Sequence, residues 1–169
     1  MIIDLDSVGK LSKMVEAAFA ADEIDLDGGA MLTGLVNLKA EITRDGTRTE
    51  VQGTIKADST VRCTRCLERI SMPFDIAFDD IFVDSSEEDT QDDAEVNIEN
   101  LDESLLTEGQ IDLREVVREQ LLLAIPEQIF CREDCQGLCP QCGGNRNLID
   151  CSCEKDEIDP RWAALKNLK

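Results

Sequence analysis

The residues of this chain most able to do chemistry are eight cysteines. They fall as a pair, Cys63-Thr64-Arg65-Cys66, and a run that reads CREDCQGLCPQCGGN from Cys131 and closes on Cys151-Ser152-Cys153. Thiolates hold Zn²⁺ tetrahedrally, and ligands spaced roughly two to four residues apart let one tight turn aim both sulfurs at a single ion. Cys63, Cys66, Cys131, Cys135, Cys139, Cys142, Cys151 and Cys153 are therefore candidate ligands, sufficient for two Zn²⁺ ions. Two divisions are open. One joins Cys63 and Cys66 with Cys131 and Cys135, leaving Cys139, Cys142, Cys151 and Cys153 for the second ion. The other makes a compact site of Cys131, Cys135, Cys139 and Cys142. The first is preferred, because Cys139-Pro140-Gln141-Cys142-Gly143 has the form of a zinc knuckle, in which glycine relieves the turn after the second ligand. Four thiolates fill a tetrahedron, so such ions are structural rather than catalytic. The competing chemistry is thiol redox or metal buffering at the CxxC pairs, since Arg62 and Arg65 would also favour a thiolate.

Composition narrows these uses. The opening MIIDLDSVGK has no basic start followed by an apolar run, so neither a signal peptide nor a membrane span is expected. With 169 residues, 42% of them hydrophobic, a core can form without disulfides, which favours reduced thiols and a cytoplasmic location. The chain has no histidine, no phosphate-cradling glycine loop and no nucleophile elbow, so no enzyme activity and no small-molecule substrate are expected. Its 37 acids against 17 bases give a net charge of −20. That balance opposes independent tight binding to a polyanion, whose affinity comes largely from Lys and Arg, and suits a basic protein partner.

The elements that must position the sulfurs are mostly strands. Leu35, Val36, Leu38, Ala40 and Ile42 lead to the turn Arg44-Asp45-Gly46-Thr47, and alternation resumes through Val51, Gly53, Ile55, Ala57 and Ser59, the pattern of a hairpin. The second strand runs into Cys63 and a third apolar run spans Ile70 to Val83, which places the CxRC pair at a strand-to-strand turn. Ser7 to Ala21 reads as a short helix leading into a strand. The segment IDLREVVREQLLLAIP reads as a helix with Asp112 and Glu115 as a capping box, with Leu113, Val116, Val117, Leu121 and Ala124 on one face and with Pro126 as its stop. Leu122, Leu123 and Ile125 are expected to widen that face. A last short helix is expected over Asp159 to Leu168, capped by Asp159 with Pro160 behind it. Residues 84–103 form an acidic stretch expected to be a solvated loop. The fold class is thus α+β: an antiparallel β-rich core, a packed amphipathic helix and a cysteine-rich, zinc-binding C-terminal region. Parts 1–83, 84–103 and 104–169 are expected to make one integrated domain.

Taken in order, VRCTRCLE, the acidic interruption, IDLREVVREQLLLAIP, CREDCQGLCPQCGGNRN, CSC and DPRWAALKNL resemble the YceD family, the large ribosomal RNA subunit accumulation proteins, over roughly the whole chain. The resemblance implies support of 23S rRNA accumulation, a gene set beside that of a small basic ribosomal protein, and no catalytic residues. The leading expectation is a cytoplasmic, zinc-stabilised, non-enzymatic factor in large-subunit biogenesis. It would act through a large-subunit ribosomal protein or precursor 23S rRNA, with the acidic stretch meeting the basic partner. A second expectation is direct RNA contact through Arg62, Arg65, Arg69, Arg132 and Arg146 around the metal sites, and the third is the thiol redox or metal-buffering role. Asn145, Arg146 and Asn147 form a further candidate recognition surface on the second knuckle.

Overall fold

Three long strands carry the architecture, and each alternates because one side faces a core while the other faces water. The computed structural model describes residues 1–5, 8, 12–84, 103–106, 109–153 and 161. The elements are β1 (Ile2–Asp4), β2 (Lys13–Ala20), β3 (Ala30–Asp45), β4 (Arg48–Arg62), β5 (Arg69–Asp84), β6 (Glu103–Leu106), β7 (Gln110–Asp112) and α1 (Leu113–Ala124). A five-stranded sheet runs in the order β2-β3-β4-β5-β6, antiparallel except for β6, which lies parallel to β5. A two-stranded antiparallel pair, β1 with β7, brings Ile3 opposite Ile111. The fold is α+β.

The core face of the sheet is built from every second residue. Val36, Leu38, Ala40 and Ile42 of β3, and Val51, Ile55, Ala57 and Val61 of β4, are all buried, joined by Val15 and Phe19 of β2 and by Phe74 and Phe78 of β5. The β3–β4 hairpin closes as expected, with Asp45 paired to Arg48 and Gly46 at φ 62°. Register then slips between Thr33 and Asn37, where residues 34–36 stand against Ala57 alone. Gly34, at φ 86°, absorbs this bulge. Because the slip adds two residues, Leu32 and Val36 still point the same way. Gly53 sits opposite Phe78, and a side chain there would strike the Lys39 carbonyl and the Phe78 ring.

Helix α1 buries Leu113, Val116, Val117 and Leu121 in the same core. Its Gln120 amide donates to both carboxylate oxygens of Asp80 on β5, at 2.9 and 3.1 Å. Asp112 caps the helix by accepting from the Arg114 N–H, but Glu115 does not complete a capping box; it pairs with Arg118 at 3.0 Å. Leu123 departs from expectation as well. It is 79% exposed, on the side of the helix away from the core, whereas Leu122 and Ile125 pack against it.

The expected helix–strand passage over 7–21 is a strand from Lys13 to Ala20; residues 6, 7 and 9–11 lie outside the described residues. So do 85–102, the body of the acidic stretch, and 154–160 and 162–169, which hold all of the expected terminal helix except Arg161. Among the described residues, no helix is long and apolar enough to cross a membrane.

Candidate metal centres

Strands β4 and β5 end on the pair Arg62 and Arg69, and the six residues between them fold into a knuckle. The Cys63 N–H donates to the Glu68 carbonyl at 2.8 Å and the Leu67 N–H donates back to the Cys63 carbonyl at 2.9 Å. The same two bonds recur downstream, from the Cys139 N–H to the Gly144 carbonyl and from the Gly143 N–H to the Cys139 carbonyl, both at 2.8 Å. Each turn needs a left-handed residue after its second cysteine. Gly143 meets that need at φ 70°, whereas the first knuckle places Leu67 there at φ 62°.

These two turns gather the eight sulfurs into two groups, Cys63 with Cys66, Cys131 and Cys135, and Cys139 with Cys142, Cys151 and Cys153. Within each group all sulfurs lie within 4.8 Å of one another. The Cys63 and Cys135 sulfurs are 3.8 Å apart and those of Cys66 and Cys131 are 3.6 Å apart. Four sulfurs bound tetrahedrally at about 2.3 Å from zinc would be separated by about 3.8 Å, so the donor set and its spacing fit such an ion. The grouping is the division the spacing favoured. The two groups differ in setting: Cys63, Cys66 and Cys135 are buried, while Cys142 and Cys153 are exposed.

Arg65 ties the first knuckle to the segment that leaves α1. Its guanidinium donates to the Cys135 carbonyl at 3.1 Å and lies 3.9 Å over the Phe130 ring, and its own carbonyl accepts from the Leu138 N–H at 3.0 Å. Gly137 is required at this crossing, because a Cβ there would stand 3.1 Å from the Arg65 carbonyl oxygen and its φ is 73°. Thr64 adds a backbone and a hydroxyl bond to the Ile129 carbonyl, at 2.8 and 3.1 Å. Asn147 then links the two centres. Its Nδ2 donates to the Cys135 sulfur at 3.3 Å, and its Oδ1 accepts from the Gln136 N–H at 2.8 Å.

The electrostatics divide each group. Burial pushes the Cys63 thiol up, but the N–H groups of Cys66, Cys131 and Arg65 outweigh it and hold the group at about 6. The N–H groups of Cys142 and Gln141 likewise bring Cys139 down to about 6. Burial and the neighbouring thiols push Cys131 up to about 12, and the Cys142 thiol together with burial does the same to Cys153. In the first group burial also works against the Cys135 thiolate, but Asn147 and the Gly137 N–H outweigh it and lower that thiol, while Cys66 is raised; in the second group Cys151 is raised beside Cys153. A cation entering either group would displace the protons still held there.

The family model described as "Large ribosomal RNA subunit accumulation protein YceD" matches residues 51–169. The chain belongs to the YceD family. Both sulfur groups lie within the matched span. An uncharacterized protein of Mycobacterium tuberculosis (strain ATCC 25618 / H37Rv) is 32% identical over 158 residues, covering 88% of this chain and 67% of that protein. The uncharacterized protein YlbN of Bacillus subtilis (strain 168) is 34% identical over 116 residues, 68% of this chain and 63% of YlbN. The chloroplastic large ribosomal RNA subunit accumulation protein YCED homolog 1 of Arabidopsis thaliana is 33% identical over 60 residues, 36% of this chain and 19% of the plant protein. No solved structure matches this YceD chain.

The candidate basic residues of the YceD chain do not form one equivalent set. Arg62 and Arg69 are exposed and directly opposed across β4 and β5. Arg65 is exposed as well, but its guanidinium is engaged by the Cys135 carbonyl and the Phe130 ring, and Arg132 donates to Asn147 Oδ1 at 2.9 Å and pairs with Asp134 at 3.3 Å. Arg146 has an exposed side chain, while its N–H donates to the Gly137 carbonyl at 2.9 Å. Asn145 and Asn147, expected as a recognition surface, bond each other at 2.8 Å and serve the scaffold. The role of Asn147 beside Cys135 is not readable from spacing, because asparagine is not itself a usual metal ligand.

Proposed function

We propose that this chain is a non-enzymatic, zinc-stabilised cytoplasmic factor that supports accumulation of 23S rRNA, acting through a basic protein of the large ribosomal subunit. The observation that carries this reading is the YceD match over 51–169 together with two closed four-sulfur groups inside it. All-sulfur donor sets suit zinc, which has no redox chemistry and takes tetrahedral geometry readily. When bound, each ion would act as a crosslink: Cys63 and Cys66 to Cys131 and Cys135 in the first group, and the two ends of the 139–153 segment in the second. The net charge of −20 favours a cationic partner, with complementarity raising the association rate more than the final affinity. The test is the 23S to 16S rRNA ratio in cells lacking the gene, with the wild-type and Cys63→Ser genes returned. A fall in the ratio restored only by the wild type supports the reading; an unchanged ratio in the deletion strain overturns it.

A second reading, direct contact with rRNA phosphates, is favoured by Arg62 and Arg69. No hydrogen bond or ion pair among the described residues reaches either side chain, and like charges directly opposed on neighbouring strands repel unless an anion lies between them. Arg62→Glu with Arg69→Glu should then weaken RNA binding uniformly across sequences and flatten its salt dependence. Unchanged RNA binding in the double variant removes this reading.

A further inference from the structure

A groove of about 470 Å³ opens between β6, β7 and the first turns of α1, away from both sulfur groups. Its floor is apolar, formed by Leu106, Ile111 and Val116 at the edge of the core. Its lips are apolar too, although they face water: Ile2 is 59% exposed and Leu105 is 60% exposed. Strand β6 is the last in its sheet, so among the described residues its outer edge is unpaired. The rim on the α1 side is acidic. Glu115 is engaged by Arg118, but no hydrogen bond or ion pair among the described residues reaches Glu119, one turn further on. Burial, Glu115 and Asp80 together raise the Glu119 pKa, only partly offset by Arg118, so this carboxylate gains from an added cation.

We propose that this groove docks an extended segment of a partner protein in which Lys or Arg alternates with apolar residues. Alternation follows from the geometry. A segment laid along the open edge of β6 points successive side chains to opposite faces, and an open edge is the usual template for an added strand. Apolar side chains on one face would cover Leu105, while on the groove side the aliphatic stems of the cations would cross the floor and their charged ends would meet Glu119 and the Glu115 rim. Other occupants fit less well. The acidic stretch 84–103 carries the wrong sign for this rim, a second copy brings another charge of −20, and a nucleic acid would set phosphates against carboxylates. The proposal rests on the reading of the chain as a factor acting through a basic ribosomal protein, and assigns the surface for that contact.

The test is fluorescence anisotropy of a labelled peptide alternating arginine with valine, titrated with the full-length, zinc-loaded chain. Glu119→Lys and Leu105→Ser should each weaken binding by about tenfold, while Glu41→Lys, on the solvent face of β3, should stay within about twofold of wild type. A peptide with glutamate in place of arginine should not bind. Groove variants that bind like the wild type overturn the proposal, as does an equal loss with Glu41→Lys, which would reduce the effect to net charge. Self-association that Leu105→Ser abolishes would give the groove to a second copy and overturn it equally. The proposal and the reading beneath it fail separately: peptide binding indifferent to the groove variants sinks the groove, whereas normal 23S rRNA in the deletion strain sinks the reading.

Discussion

Leu67 and Gly143 occupy the same position in two turns with matching hydrogen bonds: each N–H bonds the carbonyl of the first cysteine of its knuckle, at 2.9 and 2.8 Å, and their φ values are 62° and 70°. Glycine holds that conformation without a steric penalty, whereas an L side chain loses roughly 1–2 kcal/mol there. Leu67 recovers little by packing, since it is 53% exposed. Leu67→Gly should therefore raise stability by about 1 kcal/mol, and Gly143→Leu should lower it by a similar amount. Urea midpoints of the zinc-loaded proteins measure both. A destabilised Leu67→Gly chain would mean that the leucine makes a contact absent from this account.

The burial difference between the two sulfur groups predicts that they lose metal at different rates. Purified without chelator, the chain should carry two zinc ions, released in two phases on chelation. Cys142 and Cys153 are exposed, so the second group should empty first, and Cys153→Ser should remove the fast phase only. Cys63→Ser should remove the slow phase and unfold the junction between the β4–β5 turn and the segment after α1, since structural zinc contributes roughly 10–16 kcal/mol in small peptides. Release in a single phase, with either variant abolishing all of it, would mean one cooperative cluster.

Arg65 should behave as a scaffold residue. Arg65→Ala removes a bond to the Cys135 carbonyl and the stack on Phe130, and should cost about 2 kcal/mol and speed the slow metal-release phase. Arg65→Lys should rescue little, because an ammonium cannot both stack flat and reach the carbonyl. Metal release at the wild-type rate from Arg65→Ala would show the clamp to be dispensable.

Asp80 gives the chain a pH-dependent weakness. Burial raises its pKa above the ordinary 3.8, with Asp79 adding to the rise and Gln120 opposing it. The folded state therefore holds the proton more tightly than the unfolded state, and stability is lost as pH rises from about 3.8 through the raised value. Asp80→Asn keeps an acceptor for the Gln120 amide and removes the charge. It should be the more stable protein at neutral pH, with the advantage vanishing below about 3.8. Denaturation of both proteins across that range tests this, and an asparagine variant less stable at neutral pH would reverse the sign.

The long strands were legible in the sequence because one buried face imposes a period of two over many residues, and Asp45-Gly46 marks its own turn. Strands β1, β6 and β7 were not, since three or four residues carry too little periodicity, and nothing local announces that β6 runs parallel to β5. Helix α1 was legible in its start and stop. Its details were set by competition: Arg118 draws Glu115 away from the cap, and Leu123 is apolar yet lies at the wrong angle around the axis. At the sulfur groups, spacing pointed to the partition because CxxC pairs must turn tightly. It could not show that Arg65 is engaged by the Cys135 carbonyl, which depends on Phe130 and on the Gly137 crossing.

The first sulfur group also sets an order of events in time. Cys66 and Cys131 are 65 positions apart, so during synthesis the first knuckle leaves the ribosome as half a site and must wait for the rest. Closing a loop of that length costs about 4 kcal/mol of chain entropy, which two sulfurs bound to a loosely held ion recover poorly. An ion captured by all four sulfurs thus certifies that translation has passed α1 and that the sheet and the helix have already met.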